Sequence, residues 1–211
     1  MQITILGSTG PIGKSVVKEA LKLRYKVKVL VRNPEKLGEL KEKVEIVKGN
    51  LLEASSVEKA LEGSEAVINL SGAVKEPDQL KKFQEIGKIL IEKMKQQGIT
   101  RLINISLAVI NLPQEKLDFK RQLLRVMVNL FYKQKKQVQE VVMRIILNDK
   151  DIIWTLVRPT MVSNKAGTRK VLADNKKMPG TTIMLEDLGM FMVEQIKSTE
   201  WIRKAPLVAS E

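Results

Sequence analysis

Gly7-Ser8-Thr9-Gly10-Pro11-Ile12-Gly13 has the residue types and spacing of an anion-binding turn. Gly7 suits a sharp exit from a strand, Gly10 removes a side chain where a phosphate would approach the backbone, and Gly13 lets a helix sit close to a sheet. Pro11 fits a first helical turn, where its missing N–H breaks no bond. Ser8 and Thr9 add hydroxyls within reach of phosphate oxygens. The apolar run Gln2–Leu6 precedes the turn, and Val16, Val17, Ala20, Leu21 and Leu23 follow it at helical spacing. That context predicts a strand, a turn and a helix whose N-terminal N–H groups and dipole hold a pyrophosphate.

A second apolar strand, Lys26–Val31, ends in Arg32-Asn33-Pro34. Arg32 stands 19 residues after Gly13, where an NAD site places Asp or Glu on the ribose 2′-hydroxyl. A carboxylate repels a 2′-phosphate, whereas a guanidinium binds it in bidentate fashion. Arg32, with Asn33 beside it, therefore favours NADP(H) over NAD(H). The alternative for Arg32 is a solvated loop cation.

The chain must supply an element to position each of these residues. At 211 residues, with 44% apolar and 29% charged residues, it is expected to be one soluble globular domain spanning 1–211. No apolar run approaches the roughly 20 residues that span a bilayer, and the start of the sequence has no cleavable leader, so no membrane and a cytoplasmic location are expected. With no Cys and no His, thiolate and imidazole chemistry are excluded, no metal site is expected, and a general acid has to be Tyr, Lys or a carboxyl group. The 37 Lys and Arg against 24 Asp and Glu leave a net charge of +13. That charge suits anionic ligands. The cations are dispersed and few aromatics exist to stack on bases, so a solvated basic surface is preferred over a nucleic-acid surface. The expected ligand is a small molecule, and the oligomeric state stays open.

Strands are expected at Val44–Val47, Ala66–Leu70, Leu102–Ile105 and Asp151–Arg158. Helical spacing occupies Glu35–Lys41, a segment from Val57, Asp78–Gln97, Phe119–Leu147 (with a break near Asn129) and Glu186–Ile196. Residues 161–179 lose periodicity and read as a substrate-side excursion around 160–182. Ala205–Val208 reads as a short edge strand. Alternating strands and helices imply right-handed crossovers and a Rossmann-type, doubly wound parallel α/β sheet. Ser71, Gly72 and Ala73 follow the fourth strand, at the carboxyl rim where such sheets bind ligands.

The Gly-x-x-Gly-x-x-Gly spacing resembles that of extended and atypical short-chain dehydrogenase/reductases. Val31-Arg32-Asn33-Pro34, Ile105-Ser106, Trp154-Thr155-Leu156-Val157-Arg158-Pro159 and Glu186-Asp187-Leu188 extend the likeness over nearly the whole chain. Together they resemble the atypical NAD(P)H-binding group that includes flavin reductase/biliverdin reductase B-like and NmrA-like proteins. The resemblance implies that Pro159 and Thr160 border the nicotinamide. It also places Asn50 and Leu51 near the adenine, although relatives usually have Gly-Asp where this chain has Gly49-Asn50. Extended members carry Ser with Tyr-x-x-x-Lys, which maps onto Ser106, Tyr132 and Lys136. In that role Lys136 would lower the phenol pKa and hold the nicotinamide ribose; packing of Tyr132 in the core is the alternative. The function implied is an NADPH-dependent oxidoreductase acting on a small carbonyl, quinone or flavin. A non-catalytic NADP(H) sensor of the NmrA-like type and an epimerase-like enzyme are the alternatives.

Overall fold

The computed structural model describes residues 1–72, 78–113, 115–116 and 118–211. Five strands, β1 (Gln2–Leu6), β2 (Lys26–Val31), β3 (Glu45–Lys48), β4 (Ala66–Asn69) and β5 (Arg101–Ile105), precede β6 (Ile153–Pro159). Helices α1 (Pro11–Lys22), α2 (Ala54–Leu61), α3 (Gln79–Gln96), α4 (Phe119–Phe131) and α5 (Lys133–Asn148) alternate with them. A tight helical segment, Pro34–Lys43, bends at Gly38, whose φ is 63°. The C-terminal third adds β7 (Met161–Ser163), β8 (Val171–Asp174), β9 (Thr182–Met184), α6 (Leu185–Glu194) and β10 (Leu207–Ser210).

Among the described residues one sheet runs in the order β3-β2-β1-β4-β5-β6-β10-β8. Every pairing from β3 to β10 is parallel, and β8 is antiparallel to β10. Its central strands β1, β4, β5 and β6 are mostly apolar and buried because helices cover both faces, whereas the outer strands β3 and β8 carry charged residues and are only partly buried. Neighbouring residues point to opposite faces: Ile5, Val29, Ile103 and Val157 join the core beneath α1 and α6, whereas Leu6, Leu30, Leu102 and Leu156 join the core beneath α2, α3 and α5. This is the expected doubly wound Rossmann-type sheet.

Close approaches fix the helices. A Cβ on Gly189 of α6 would come within 2.5 Å of Ser15 Oγ on α1, and Ser15 Oγ donates to the Leu185 carbonyl at 2.7 Å. On the other face, a Cβ on Gly87 of α3 would press to 2.9 Å from Ile145 of α5. Arg101 closes the amino-terminal edge of the sheet. Its buried guanidinium donates to the carbonyls of Gln195 and Ile153 and to Thr155 Oγ1, and burial lowers its pKa to about 10.

Three elements differ from the sequence reading. Strand β10 lies between β6 and β8 instead of forming an edge. The stretch 161–179 carries β7 and β8, with β7 paired to β9. The break in the long helical region falls at Tyr132, which has φ −135° and ends α4 as it begins α5. Buried Asp187 anchors the excursion, accepting hydrogen bonds from Ser210 Oγ and from the backbone N–H groups of Thr168 and Arg169. Burial pushes its carboxyl pKa up, but those hydrogen bonds outweigh burial and hold it below the usual range.

Candidate functional site

The strand order reverses between β1 and β4, which opens a crevice above their carboxyl ends. The glycine turn forms its floor. Gly7 has φ 79°, and a Cβ there would sit 2.7 Å from the Leu70 carbonyl carbon, so the turn is wedged against the exit of β4. A Cβ on Gly13 would overlap the Gly7 carbonyl oxygen, which fixes how closely α1 approaches β1.

Gly10 has no such internal reason. Its backbone is extended, at φ −77° and ψ 167°, and a Cβ would meet only the Gly7 oxygen, at 3.9 Å. Any residue could occupy position 10 as far as the protein's own packing is concerned. Gly10 lines the cleft, however, so the side chain it lacks would take up ligand space. It also caps α1 without a side-chain hydrogen bond, which leaves first-turn N–H groups for an anion. Ser8 Oγ is fully buried and has no hydrogen-bond partner among the described residues. These features fit a dinucleotide pyrophosphate.

The cleft has a volume of about 450 Å³. Residues 7–10, 30–32, 49–52 and 70–72 line it, together with Gln79, Lys82, Phe83 and Ile86 of α3. The sequence-derived residues Gly7, Ser8, Thr9, Gly10, Arg32, Asn50, Leu51, Ser71 and Gly72 are therefore brought together. Asn50 Oδ1 accepts from the Leu52 N–H at 2.7 Å and its Nδ2 donates to Glu53, so its side chain shapes the turn. A smaller recess opens beside the glycine turn, lined by Thr9, Arg32, Asn33 and Lys36. Asn33 Oδ1 accepts from the Glu35 N–H at 3.0 Å and caps the segment that carries Lys36. Ala73 lies outside the described residues. Pro11, Ile12 and Gly13 form the first turn of α1, next to the lining residues 7–10.

The remaining expected residues are placed elsewhere, and none of Ser106, Tyr132 and Lys136 lines the cleft. Ser106 follows β5; it is buried, and its hydroxyl has no partner among the described residues. Tyr132 is 55% exposed at the joint of α4 and α5, with the Lys135 ammonium 5.2 Å from its ring centre. Tyr132 is thus not packed in the core, and it does not line the cleft. The Lys136 ammonium donates to Asn129 Oδ1 at 3.0 Å and pairs with Glu140. Pro159 pairs with Val208 in the sheet, and Thr160 directs both its N–H and its hydroxyl to the Val208 carbonyl.

Two features escaped sequence reasoning. Asn69 Nδ2 donates to Asn104 Oδ1 at 2.7 Å, and Asn69 Oδ1 accepts from the N–H and hydroxyl of Ser71. This buried pair locks the rim at the ends of β4 and β5. An Asn at or next to the carboxyl end of each of two adjacent strands was the available signal. The second is an ion cluster behind Ser106. Glu115 binds Arg121 at 2.6 Å and Arg158 at 2.7 Å, and both arginines are buried. Arg121 also donates to the carbonyls of Ala108 and Ile110, and Arg158 to those of Ile110 and Ala205. The segment that follows Ser106 is thereby tied to β6 and to the approach to β10. Burial pushes the Glu115 carboxyl pKa up, but Arg158, the Leu112 N–H and Arg121 hold it below the usual range.

A sequence profile of the NAD(P)H-binding family matches residues 7–199. The photosystem II assembly factor Ycf39 of Trieres chinensis is 35% identical over 106 residues, 49% of this chain and 33% of that protein. The uncharacterized protein YwnB of Bacillus subtilis is 33% identical over 103 residues, 49% of this chain and 46% of that protein. These matches thus span a third to just under half of each relative's length. Among solved structures, the anaerobilin reductase ChuY from Escherichia coli O157:H7 superposes with a TM-score of 0.82 at 14% identity, covering 100% of this chain and 97% of that one. The oxidoreductase YlbE from Lactococcus lactis gives 0.80 at 19% identity, covering 100% and 91%. Those two likenesses establish a shared fold. The glycine turn, the crevice above it and the profile match over most of the sequence agree: the chain belongs to the NAD(P)H-binding family.

Proposed function

We propose that this protein is an NADPH-dependent oxidoreductase acting on a small carbonyl, quinone or flavin. The observation that carries the reading is the basic recess of Thr9, Arg32, Asn33 and Lys36 at the end of the glycine-turn cleft. Two cations and two polar side chains form a setting for a phosphate on the adenosine ribose, and among the described residues no carboxylate in either lining competes for that ribose. The backbone of residues 7–13 and the Ser8 hydroxyl hold the pyrophosphate. Leu30, Leu51 and Phe83 give the cleft apolar walls. When bound, the cofactor supplies hydride. The chain supplies the orientation of cofactor and substrate. With Tyr132 on the surface and neither His nor Cys in the sequence, the proton is taken from water, which suits quinone or flavin reduction better than carbonyl reduction.

A second reading is a non-catalytic NADP(H)-responsive regulator. The placement of Tyr132 and Lys136 favours it, because the Tyr-x-x-x-Lys pair does not line the cleft. One experiment separates the two: NADPH fluorescence is followed after adding menadione, FMN and an aromatic aldehyde in turn. Multiple-turnover oxidation with a quinone or flavin supports the reductase. Tight NADPH binding without turnover against all three supports the regulator.

A further inference from the structure

Helix α4 is inverted relative to an ordinary surface helix. Phe119, Leu123, Val126, Met127 and Leu130 recur at helical spacing and face outward, with Phe119 79% and Leu130 72% exposed. Phe131, at the C-terminal end, is 73% exposed. The opposite side carries Arg121, fully buried and bonded to Glu115 and to the Ala108 and Ile110 carbonyls. Asp118 fixes the start, accepting from the Arg121 N–H through Oδ1 and from the Met178 N–H through Oδ2. Turning the apolar face inward would break those contacts and pull a charged guanidinium out of its cluster. The outward face is therefore held in place by the fold, and contiguous apolar surface of this kind marks an interaction site.

The charge around the face identifies what it meets. From Phe119 to Gln139 the sequence contains no Asp or Glu, whereas Arg125, Lys133 and Lys135 fall within it. Lys176 and Lys177 are exposed beside Met178, next to the start of the helix. A two-fold contact between copies of this chain would bring like charges together. Nucleic acid would need cations at the centre of the face, where Leu123, Val126 and Met127 stand. Apolar residues that include Phe at both ends, flanked by cations in a chain of net charge +13, fit the headgroup region of a bilayer rich in anionic lipid.

We propose that α4 docks this protein reversibly on an anionic lipid surface, lying in the plane of the interface. Thirteen residues make a helix about 20 Å long, too short to span, and no described helix is long and apolar enough to cross a membrane. The cofactor cleft is lined by other elements, so docking and cofactor binding are separable.

The full chain is floated with vesicles of equal parts phosphatidylcholine and phosphatidylglycerol, and with vesicles of phosphatidylcholine alone. The expected result is recovery with the anionic vesicles, little with the neutral ones, and loss of binding at high salt. The exposed triple variant Phe119→Ser, Leu130→Ser, Phe131→Ser should fold, keep its NADPH affinity and lose vesicle recovery by about tenfold or more. Lys133→Glu with Lys135→Glu should abolish the preference for anionic lipid. Absence of recovery with anionic vesicles, or recovery unchanged in the triple variant, overturns the proposal. So does a dimer seen by light scattering that the triple variant dissociates while the wild type ignores vesicles; a second copy then covers the face.

Discussion

Arg32 and Lys36 flank the recess beside the glycine turn, and their effect on cofactor choice follows from charge and reach. A charge-assisted hydrogen bond contributes about 1.5–3 kcal/mol, so Arg32→Ala is expected to weaken NADPH binding about 10–100-fold. NADH affinity should change little, because NADH carries no 2′-phosphate. Fluorescence titration with the two cofactors checks this, and equal affinities of the unaltered protein for both would remove the recess from the account. Gly13 acts differently, through the backbone. A side chain there overlaps the Gly7 carbonyl, so Gly13→Ala should destabilise the fold by about 1–3 kcal/mol, read as a lower midpoint in urea. Gly10→Ala should leave stability nearly unchanged, since the protein makes only an ordinary contact at that point.

Among the elements, the segment between β5 and α4 depends on one carboxylate. Glu115→Gln leaves two buried guanidinium groups without their anion, which should cost about 3–5 kcal/mol. Because Arg158 and its neighbours depress the Glu115 pKa, its stabilisation is present above the unfolded carboxylate pKa of about 4.3. It is lost as pH falls through the lower folded value. Urea midpoints measured from neutral pH downward should decline through that window, and the Glu115→Gln profile should decline less. This cluster was not legible in the sequence, because Glu115 and Arg158 lie far apart in the chain and no periodicity announces that they meet. By contrast β1, the glycine turn and α1 were legible, since strand alternation, turn chemistry and helical spacing adjoin within about twenty residues. Helical spacing also marked α4, but spacing reveals only that an apolar face exists; Arg121 decides that the face turns outward. Strands β7, β8 and β9 are three or four residues long and gain their identity from pairing partners. A single-residue interruption at Tyr132 left the helical pattern on either side intact, which displaced the expected break to Asn129. At the site, glycines and Arg32 could be read from local rules, whereas the Asn69–Asn104 pair required the register of β4 with β5.

At the scale of the whole molecule, a cleft at the reversal of strand order binds its ligand only in the folded sheet, so ligand and stability are linked. NADPH at about a hundred times its Kd should add about 2.7 kcal/mol, raising Tm by about 5–10 °C for a chain of this size. A rise with NADPH that NADH at the same concentration fails to reproduce would place the discrimination in the folded state. The most direct test of the central claim is calorimetric titration of NADPH into the wild type and into Gly10→Asp, with circular dichroism to establish that the variant is folded. Saturable one-to-one binding to the wild type, and none detectable to the variant, is the predicted outcome. Unchanged NADPH affinity in a folded Gly10→Asp protein would contradict it, because bulk and negative charge would then occupy the supposed pyrophosphate position without consequence.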